Sequence, residues 1–292
     1  MRELDRYNPF VLLFFFGLAA GIAMFSVDPV ILTLSFAGSF TLYCVMKKGF
    51  HIKEHKFAVI VFLLTALINP LVRHSGVTVL FVLNDNPITL EALVYGITAG
   101  EMIVSAMYWF GVFSELMTSD KLLYLFGTLS PKTALLLSMT MRYIPLFNEQ
   151  VKKTEQVQKA LGLYKDDNII DTVRGKIRIF SVMVTWALEN GIITADSMSS
   201  RGYGIGKRSY YSEYRMRKSD IAAVSVLFIL SAVVIVSAAS GALDFDYYPR
   251  LGTISSEIMT VSAYAAYAVL VFMLTAVKIS EEVKWKYLQS KI

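Results

Sequence analysis

The sequence predicts an all-α, polytopic membrane protein that carries a pair of long amphipathic helices on its cytoplasmic side. The first observation is composition: 55% of the 292 residues are hydrophobic and 17% are charged, whereas a soluble domain has about a quarter of its residues charged. The second is that the apolar residues form runs close to the roughly 20 residues needed to span a bilayer. The third is a central stretch of higher charge with helical periodicity.

Six apolar segments are long enough to be candidate membrane spans. They are approximately Pro9 to Val27, Val30 to Met46, Phe57 to Leu71, Ile88 to Leu116, Ile221 to Leu243 and Ile254 to Val277. The third segment is short and ends in Asn69-Pro70. We therefore expect it to be tilted, broken or only partly spanning.

The distribution of basic residues predicts the orientation, because Lys and Arg accumulate on the cytoplasmic side of membrane proteins. With the N-terminus in the cytoplasm, six crossings place 26 of the 28 Lys and Arg residues on that side and leave Arg73 and Arg250 outside. Asp244, Asp246 and Asn84-Asp85-Asn86 then fall in outer turns. Both termini are predicted to be cytoplasmic.

These patterns predict four regions. Residues 1–117 form an N-terminal bundle of four spans, 118–218 a cytoplasmic module, 219–277 two C-terminal spans and 278–292 a cytoplasmic tail. The module opens with two apolar pieces, Leu122 to Leu129 and Thr133 to Phe147, of which the second ends near Pro145. Both are too short to span comfortably, so we expect them to lie along the membrane surface.

Two amphipathic helices are predicted to follow, from about Asn148 to Leu161 and from about Asn168 to Arg201. The apolar residues of the second helix recur every three or four positions, at Ile170, Val173, Ile177, Phe180, Val184, Ala187, Ile192, Ala195 and Met198. It would extend on the order of 50 Å unless it bends at Asn190-Gly191.

The two helices end alike, in Ala160-Leu161-Gly162 and in Ser200-Arg201-Gly202. A glycine in this place can take the left-handed conformation that closes a helix. The Arg201 guanidinium is suited to a carboxylate on a partner protein, because its planar fork can donate two parallel hydrogen bonds. Arg201 is therefore the principal candidate for a binding residue.

Three features of the spans carry further hypotheses. Gly17 to Gly21 and Gly96 to Gly100 have the small-xxx-small spacing of closely packed membrane helices. The packing partner is either another helix of this chain or a second membrane protein. Glu101 lies inside the fourth segment, where a carboxylate is either hydrogen-bonded between helices or functional.

The sequence resembles the transmembrane T component of energy-coupling factor transporters. These are the prokaryotic importers of vitamins and transition-metal ions that belong to the ABC class. The resemblance rests on the Arg142-Tyr143-Ile144-Pro145-Leu146 run, the charged helix after it and the two helix-end signatures. The setting Asp196-Ser197-Met198-Ser199-Ser200-Arg201-Gly202-Tyr203-Gly204 is the most specific match.

The resemblance implies a non-catalytic scaffold and energy-coupling subunit in the prokaryotic cell membrane. Its implied partners are two cytosolic ABC-type ATPase subunits, which carry ATP and Mg²⁺, a small substrate-binding membrane subunit and the membrane lipid. No cofactor is implied for this chain itself. Ser200, Arg201 and Gly202 would contact one ATPase subunit, and Ala160, Leu161 and Gly162 the other.

The first signature departs from the family pattern, because Leu161 stands where an arginine is expected. Three explanations remain open: the ATPase groove is met by packing alone, a neighbour such as Lys159 supplies the charge, or the two ATPase subunits are engaged unequally.

The sequence supports other function classes less well. His51-Ile52-Lys53-Glu54-His55 matches the H-x-x-E-H pattern of one class of zinc metalloprotease. The pattern falls in a short basic loop without an acidic motif downstream for a third ligand, so we expect solvated loop histidines. A stand-alone secondary transporter would need pseudo-symmetric halves, which four spans, an insertion and two spans do not supply. The insertion contains no recognisable nucleic-acid-binding module.

Overall fold

A computed structural model describes residues 7–47, 52–73, 75–83, 86–163, 169–206, 214 and 216–289. The chain divides into two compact units, one formed by Met1–Ser119 with Tyr214–Ile292 and the other by Asp120–Glu213. We call them the membrane unit and the central unit. The predicted division into four regions at 117, 218 and 277 stays a prediction.

The described residues form nine helices and one β-hairpin. They are α1 Pro9–Phe25, α2 Pro29–Met46, α3 Ile52–Val72, β1 Val79–Leu83, β2 Asn86–Thr89, α4 Leu90–Leu116, α5 Ser119–Leu129, α6 Pro131–Ala160, α7 Ile169–Ser200, α8 Lys218–Ala239 and α9 Ile258–Gln289. The all-α, polytopic class is confirmed. The predicted tail continues α9 as helix to Gln289, with an ion pair of 3.1 Å between Lys278 Nζ and Glu281 Oε2.

Six of the described helices are long and apolar enough to cross a membrane, so the chain is a multi-pass membrane protein. Six spans are predicted and six helices qualify, but the two sets differ by one member. The first predicted span is a helix of 17 residues, which is shorter than any of these six helices. Ile169–Ser200, which belongs to the predicted coupling pair, is one of the six. α1 ends early because Asp28 caps α2, accepting a hydrogen bond from Val30 N at 2.8 Å.

The membrane unit is held together by close packing between helices and by a few buried polar contacts. Gly38 of α2 faces Val271 of α9 so closely that no Cβ fits there. The Trp109 side chain on α4 is 1% exposed and donates from Nε1 to Ser35 Oγ at 3.0 Å. Tyr267 of α9 donates to the Ala19 carbonyl oxygen at 3.0 Å. Each contact joins helices that are distant in sequence.

The third span is longer than the sequence predicts. α3 has 21 residues and continues through Asn69-Pro70 to Val72, so the expectation of a broken segment is wrong. That the segment is tilted or only partly spans the bilayer stays a prediction. The difference arises because the basic loop residues from Ile52 onward form the first turns of the helix. Pro70 lies in the last turn, so its missing N–H removes one backbone hydrogen bond, and only two residues of the helix follow it.

The loop between α8 and α9 is attached to the rest of the membrane unit by one buried tyrosine side chain. Tyr247 is 4% exposed and donates from Oη to the Val27 carbonyl oxygen at 2.8 Å, and its ring packs edge-on against Tyr95. Burial raises the pKa of the Tyr247 hydroxyl, which therefore stays protonated and able to donate at physiological pH.

In the central unit, a predicted break is absent. The sequence predicts an apolar piece that ends near Pro145 and a separate helix from about Asn148, but α6 is one continuous helix of 30 residues with Pro145 inside it. Packing explains the difference. Tyr143 and Phe147 lie on either side of the proline and both contact α7, so the two turns are held in line although the proline lacks an N–H donor.

Candidate partner-binding site

α6 and α7 form an antiparallel helix pair. The Tyr143 and Thr194 hydroxyls lie 2.8 Å apart, and the Phe147 ring packs edge-on against Trp186 with centroids 5.3 Å apart. As the chain advances along α6, its contacts therefore move back along α7. Further along, Glu155 of α6 and Lys176 of α7 line the same groove. The C-terminal end of α6 consequently lies beside the beginning of α7.

The C-terminal ends of α6 and α7 have the same backbone geometry. At the first, Gly162 has φ +69°, its N–H donates to Lys159 O and the Leu163 N–H donates to Gln158 O, each at 3.0 Å. At the second, Gly202 has φ +80°, its N–H donates to Ser199 O and the Tyr203 N–H donates to Met198 O, again each at 3.0 Å. Both pairs of bonds define a Schellman cap, and both place the preceding residue at the C-cap position.

Leu161 and Arg201 are therefore structurally equivalent. Each occupies the C-cap position, and each side chain is exposed. α8 ends in a similar way at Gly241, which has φ +78°, so the cap alone is a general way to end a helix. What is particular to the α6–α7 pair is that its two equivalent caps present one apolar and one cationic side chain.

The two caps lie at opposite ends of the pair. Arg201 follows Lys176 by about 25 residues of α7, which is roughly 40 Å at 1.5 Å per residue. The first cap lies beside the opposite end of α7. Two separate partner surfaces can consequently reach the pair without competing for one place.

The immediate surroundings of the two caps differ in charge. Around Leu161, which is 66% exposed, the Val157 and Leu163 side chains are also exposed and form an apolar patch with it. The neighbouring cation, Lys159, lies 2.9 Å from Glu155 Oε1 in its own helix. At the second cap, Ser200 Oγ donates to Asp196 O at 2.8 Å, and the exposed Arg201 side chain places a cation at the helix end.

Residues 2–211 match the model of the cobalt transport protein family, CbiQ. The match covers more than two-thirds of the chain and includes the whole helix pair and both caps. The chain belongs to the cobalt transport protein family. The sequence has no match among the curated proteins. Membership of the cobalt transport protein family confirms the resemblance to the T component of energy-coupling factor transporters and gives the chain a transport role of that type.

The predicted apolar face of α7 is largely exposed. Ile170, Ile177, Phe180 and Ile192 are each more than 60% exposed, whereas the residues of α7 that are buried in the structure are Gly175, Ile179 and Met183. The buried face of α7 in this cobalt transport protein is therefore shifted by one residue from the apolar face that the sequence predicts. An apolar groove of about 590 Å³ lies between α6 and α7, and a stripe of large apolar side chains lies open beside it.

The two small-residue motifs differ in their surroundings. A Cβ at Gly96 would lie 2.8 Å from the Ala66 carbonyl oxygen and one at Gly100 would lie 2.9 Å from the Phe62 ring, so this motif packs α4 against α3. Beyond the nearby backbone of α1 itself, no atom of the described residues lies within 4 Å of a Cβ added at Gly17 or Gly21. These two glycines line an apolar groove of about 510 Å³ on the surface of the membrane unit.

Glu101 lies in α4 with one carboxylate oxygen, Oε2, buried and without a hydrogen-bond partner among the described residues. An interhelical hydrogen bond, one of the two interpretations drawn from the sequence, is therefore not made by this oxygen. A functional role for Glu101 stays a hypothesis.

The second histidine of the H-x-x-E-H pattern does not lie in a solvated loop. His55 lies inside α3 and is 4% exposed, its Nδ1 is 2.8 Å from Tyr108 Oη, and its ring packs against Phe40 and Tyr43. The expectation of a loop histidine is wrong for His55, because the helix begins earlier than the basic residues suggest. The side chains of His51 and Glu54 lie outside the described residues. Elsewhere in the described chain, no three His, Cys, Asp or Glu residues are grouped to hold a metal ion.

Proposed function

We propose that this chain is the scaffold and energy-coupling membrane subunit of an ATP-driven importer, and that the α6–α7 pair links two cytosolic ATPase subunits to a substrate-binding membrane subunit. ATP and Mg²⁺ would be bound by the ATPase subunits and the substrate, cobalt or a vitamin, by the membrane subunit. The uneven distribution of Lys and Arg supports a cytoplasmic location for the helix pair and for both termini.

The observation that carries this proposal is the pair of equivalent, exposed C-caps at opposite ends of two antiparallel helices. A helix pair can transmit a displacement only if both ends are attached to bodies that move, and these caps offer one attachment point at each end. Arg201 would dock by charge-assisted hydrogen bonds to a carboxylate of one ATPase subunit. Ser200 and Gly202 would flank this contact, the glycine by fixing the direction in which the chain leaves the helix.

The apolar patch around Leu161 supports packing alone as the means by which the other ATPase subunit is engaged. Leu161 would enter an apolar groove on the ATPase subunit. Its neighbours Ala160 and Gly162 are small, so the partner could approach the backbone closely. Lys159 is already close to Glu155. Its charge is therefore a weaker explanation than the exposed leucine.

The exposed face of α7 supports the remaining contact, that with the substrate-binding membrane subunit. This face is apolar enough for α7 to be counted among the helices that could cross a membrane, yet α7 ends in the charged cap. A helix of this kind fits the boundary between a membrane-embedded partner and cytosolic partners.

We expect Leu161→Asp to weaken the capture of one ATPase subunit and Leu161→Met to leave it unchanged. Burying a leucine side chain contributes about 1.5–3 kcal/mol, which corresponds to roughly 10-fold to 100-fold in Kd. An aspartate loses this contribution and adds an unpaired charge. The two Kd values can be measured with purified ATPase subunits and the chain in nanodiscs; equal binding of both variants would contradict docking by apolar packing.

The proposal as a whole is tested by affinity purification of the tagged chain from detergent-solubilised native membranes, followed by identification of the bound proteins and an ATPase assay. We expect ATP-binding subunits and a small hydrophobic membrane protein. Substrate uptake by the purified chain alone in proteoliposomes would contradict the proposal and establish a secondary transporter instead.

A further inference from the structure

The β-hairpin that follows α3 exposes apolar side chains on both of its faces. Val79, Leu80, Phe81 and Val82 of β1 are each between 49% and 61% exposed. Successive side chains of a strand point to opposite faces, so neither face of β1 is covered by the rest of the described chain. Ser75 to Leu83 contains no charged residue. In water, an open strand of this composition would be an aggregation site.

The base of this hairpin is firmly attached to the membrane unit. The Glu91 carboxylate accepts hydrogen bonds from Thr78 N at 3.1 Å and from Thr78 Oγ1 at 2.8 Å. Val77 N donates to the Pro249 carbonyl oxygen at 3.2 Å, and Leu90 N donates to Thr78 O at 3.0 Å. A Cβ at Gly76 would lie 2.6 Å from Glu91 Oε2, so there is no room for a larger side chain beside this carboxylate. The exposed strand is therefore held in a defined place.

The helix that precedes β1 in the chain, α3, is also apolar on its exposed side. The second half of α3 exposes Leu64, Leu67 and Leu71, and a membrane-spanning helix exposes such side chains toward lipid. Between the two elements, the Arg73 guanidinium lies 4.6 Å from the centre of the Tyr248 ring and 5.8 Å from that of Tyr95. A cation among tyrosines is typical of the depth at which a membrane protein leaves the hydrocarbon for the headgroup layer.

We propose that the β1–β2 hairpin lies flat in the interfacial layer of the bilayer, at the boundary between lipid headgroups and acyl chains, and contacts lipid through Val79, Leu80, Phe81 and Val82. The hydrocarbon interior is excluded because the open edges of a two-stranded sheet would leave backbone donors and acceptors without partners there. Full exposure to water is disfavoured by the four consecutive exposed apolar side chains of β1.

The test uses fluorescence quenching on the full-length chain in proteoliposomes. Cys44 is the single cysteine, so Cys44→Ser gives a background in which Phe81→Cys can be labelled with an environment-sensitive fluorophore. Phe81 is exposed, so the substitution leaves the fold intact. Nitroxide groups carried on the lipid near the headgroup or near the chain end, and iodide in the aqueous phase, serve as quenchers at three depths.

We expect the label at residue 81 to be quenched most strongly by the nitroxide near the headgroup, with blue-shifted emission and little quenching by iodide. Two matched labels set the scale. Leu64→Cys lies on the exposed side of α3 and should respond most to the deep nitroxide, and Ser256→Cys lies in the exposed loop before α9 and should respond most to iodide.

Two results would overturn the proposal. Strong quenching by iodide without quenching by lipid nitroxides would show that the hairpin faces water. A label that is protected from all quenchers in complexes purified from native membranes, and accessible to iodide in the chain alone, would show that a protein partner covers β1. The experiment does not depend on the ATPase subunits, so its outcome is independent of the coupling role.

Discussion

Replacing Arg201 by glutamate is expected to release one ATPase subunit from the chain while leaving the membrane protein folded. Removal of one partner from a desolvated, hydrogen-bonded charge pair costs about 2–5 kcal/mol, which is roughly 30-fold to several thousand-fold in Kd. Charge reversal adds repulsion from the partner carboxylate. Arg201 is an exposed C-cap residue, so the substitution removes no internal contact of α7. The Kd for purified ATPase subunits and the rate of substrate uptake are the measurements.

The matched control is Lys152→Glu, which makes the same charge change at an exposed position in the second half of α6, more than two turns from the first cap and farther still from the second. We expect this variant to bind ATPase subunits within a few-fold of the unchanged chain. If both variants bind equally well, Arg201 is not the docking residue. If both bind equally poorly, the general positive charge of the central unit is responsible and no specific groove contact is made.

Replacing Gly38 by alanine is expected to destabilise the membrane unit, and replacing it by leucine to leave little folded protein. The methyl group of an alanine would overlap Cγ1 of Val271, which is fully buried and β-branched and so cannot rotate freely out of the way. Overpacking of this kind costs about 1–3 kcal/mol. The melting temperature of the detergent-purified chain and the yield of monodisperse protein report the effect.

Gly17→Ala is the matched control, because it makes the same change in a membrane helix without any atom beyond the nearby backbone of α1 itself within 4 Å of the new methyl group. Alanine is favoured over glycine in a helix by about 0.5–1 kcal/mol, so we expect an unchanged or slightly higher melting temperature. A Gly38→Ala chain as stable as the Gly17→Ala chain would mean that α2 and α9 are not in close contact.

Local signals were sufficient for the bounds of two membrane helices and for the helix caps. The apolar runs around Val30 to Met46 and Ile88 to Leu116 gave helix bounds within two residues of the structure, because Asp28 and Thr89 cap the helices that follow them. Gly162 and Gly202 were predicted to close helices and have positive φ. In each case, the residue that determines a helix end lies within a few positions of that end.

Signals that depend on packing between distant segments were missed. Pro145 suggested a break, but contacts of Tyr143 and Phe147 with α7 keep α6 continuous. His55 was assigned to a solvated loop, although an aromatic cluster from α2 and α4 buries it. The apolar run of β1 was not recognised as a strand, because a short apolar run in a membrane protein has the composition of helix ends as well.

The different residues at the two equivalent caps would give the assembly an unequal response to ionic strength. Salt screens charges over a Debye length of about 10 Å at 0.1 M, whereas contact between apolar side chains is not weakened by it. Raising the salt concentration would therefore loosen the subunit held by Arg201 before the subunit held by Leu161. The importer would come apart in two steps, through a half-loaded complex that retains a single nucleotide-binding subunit.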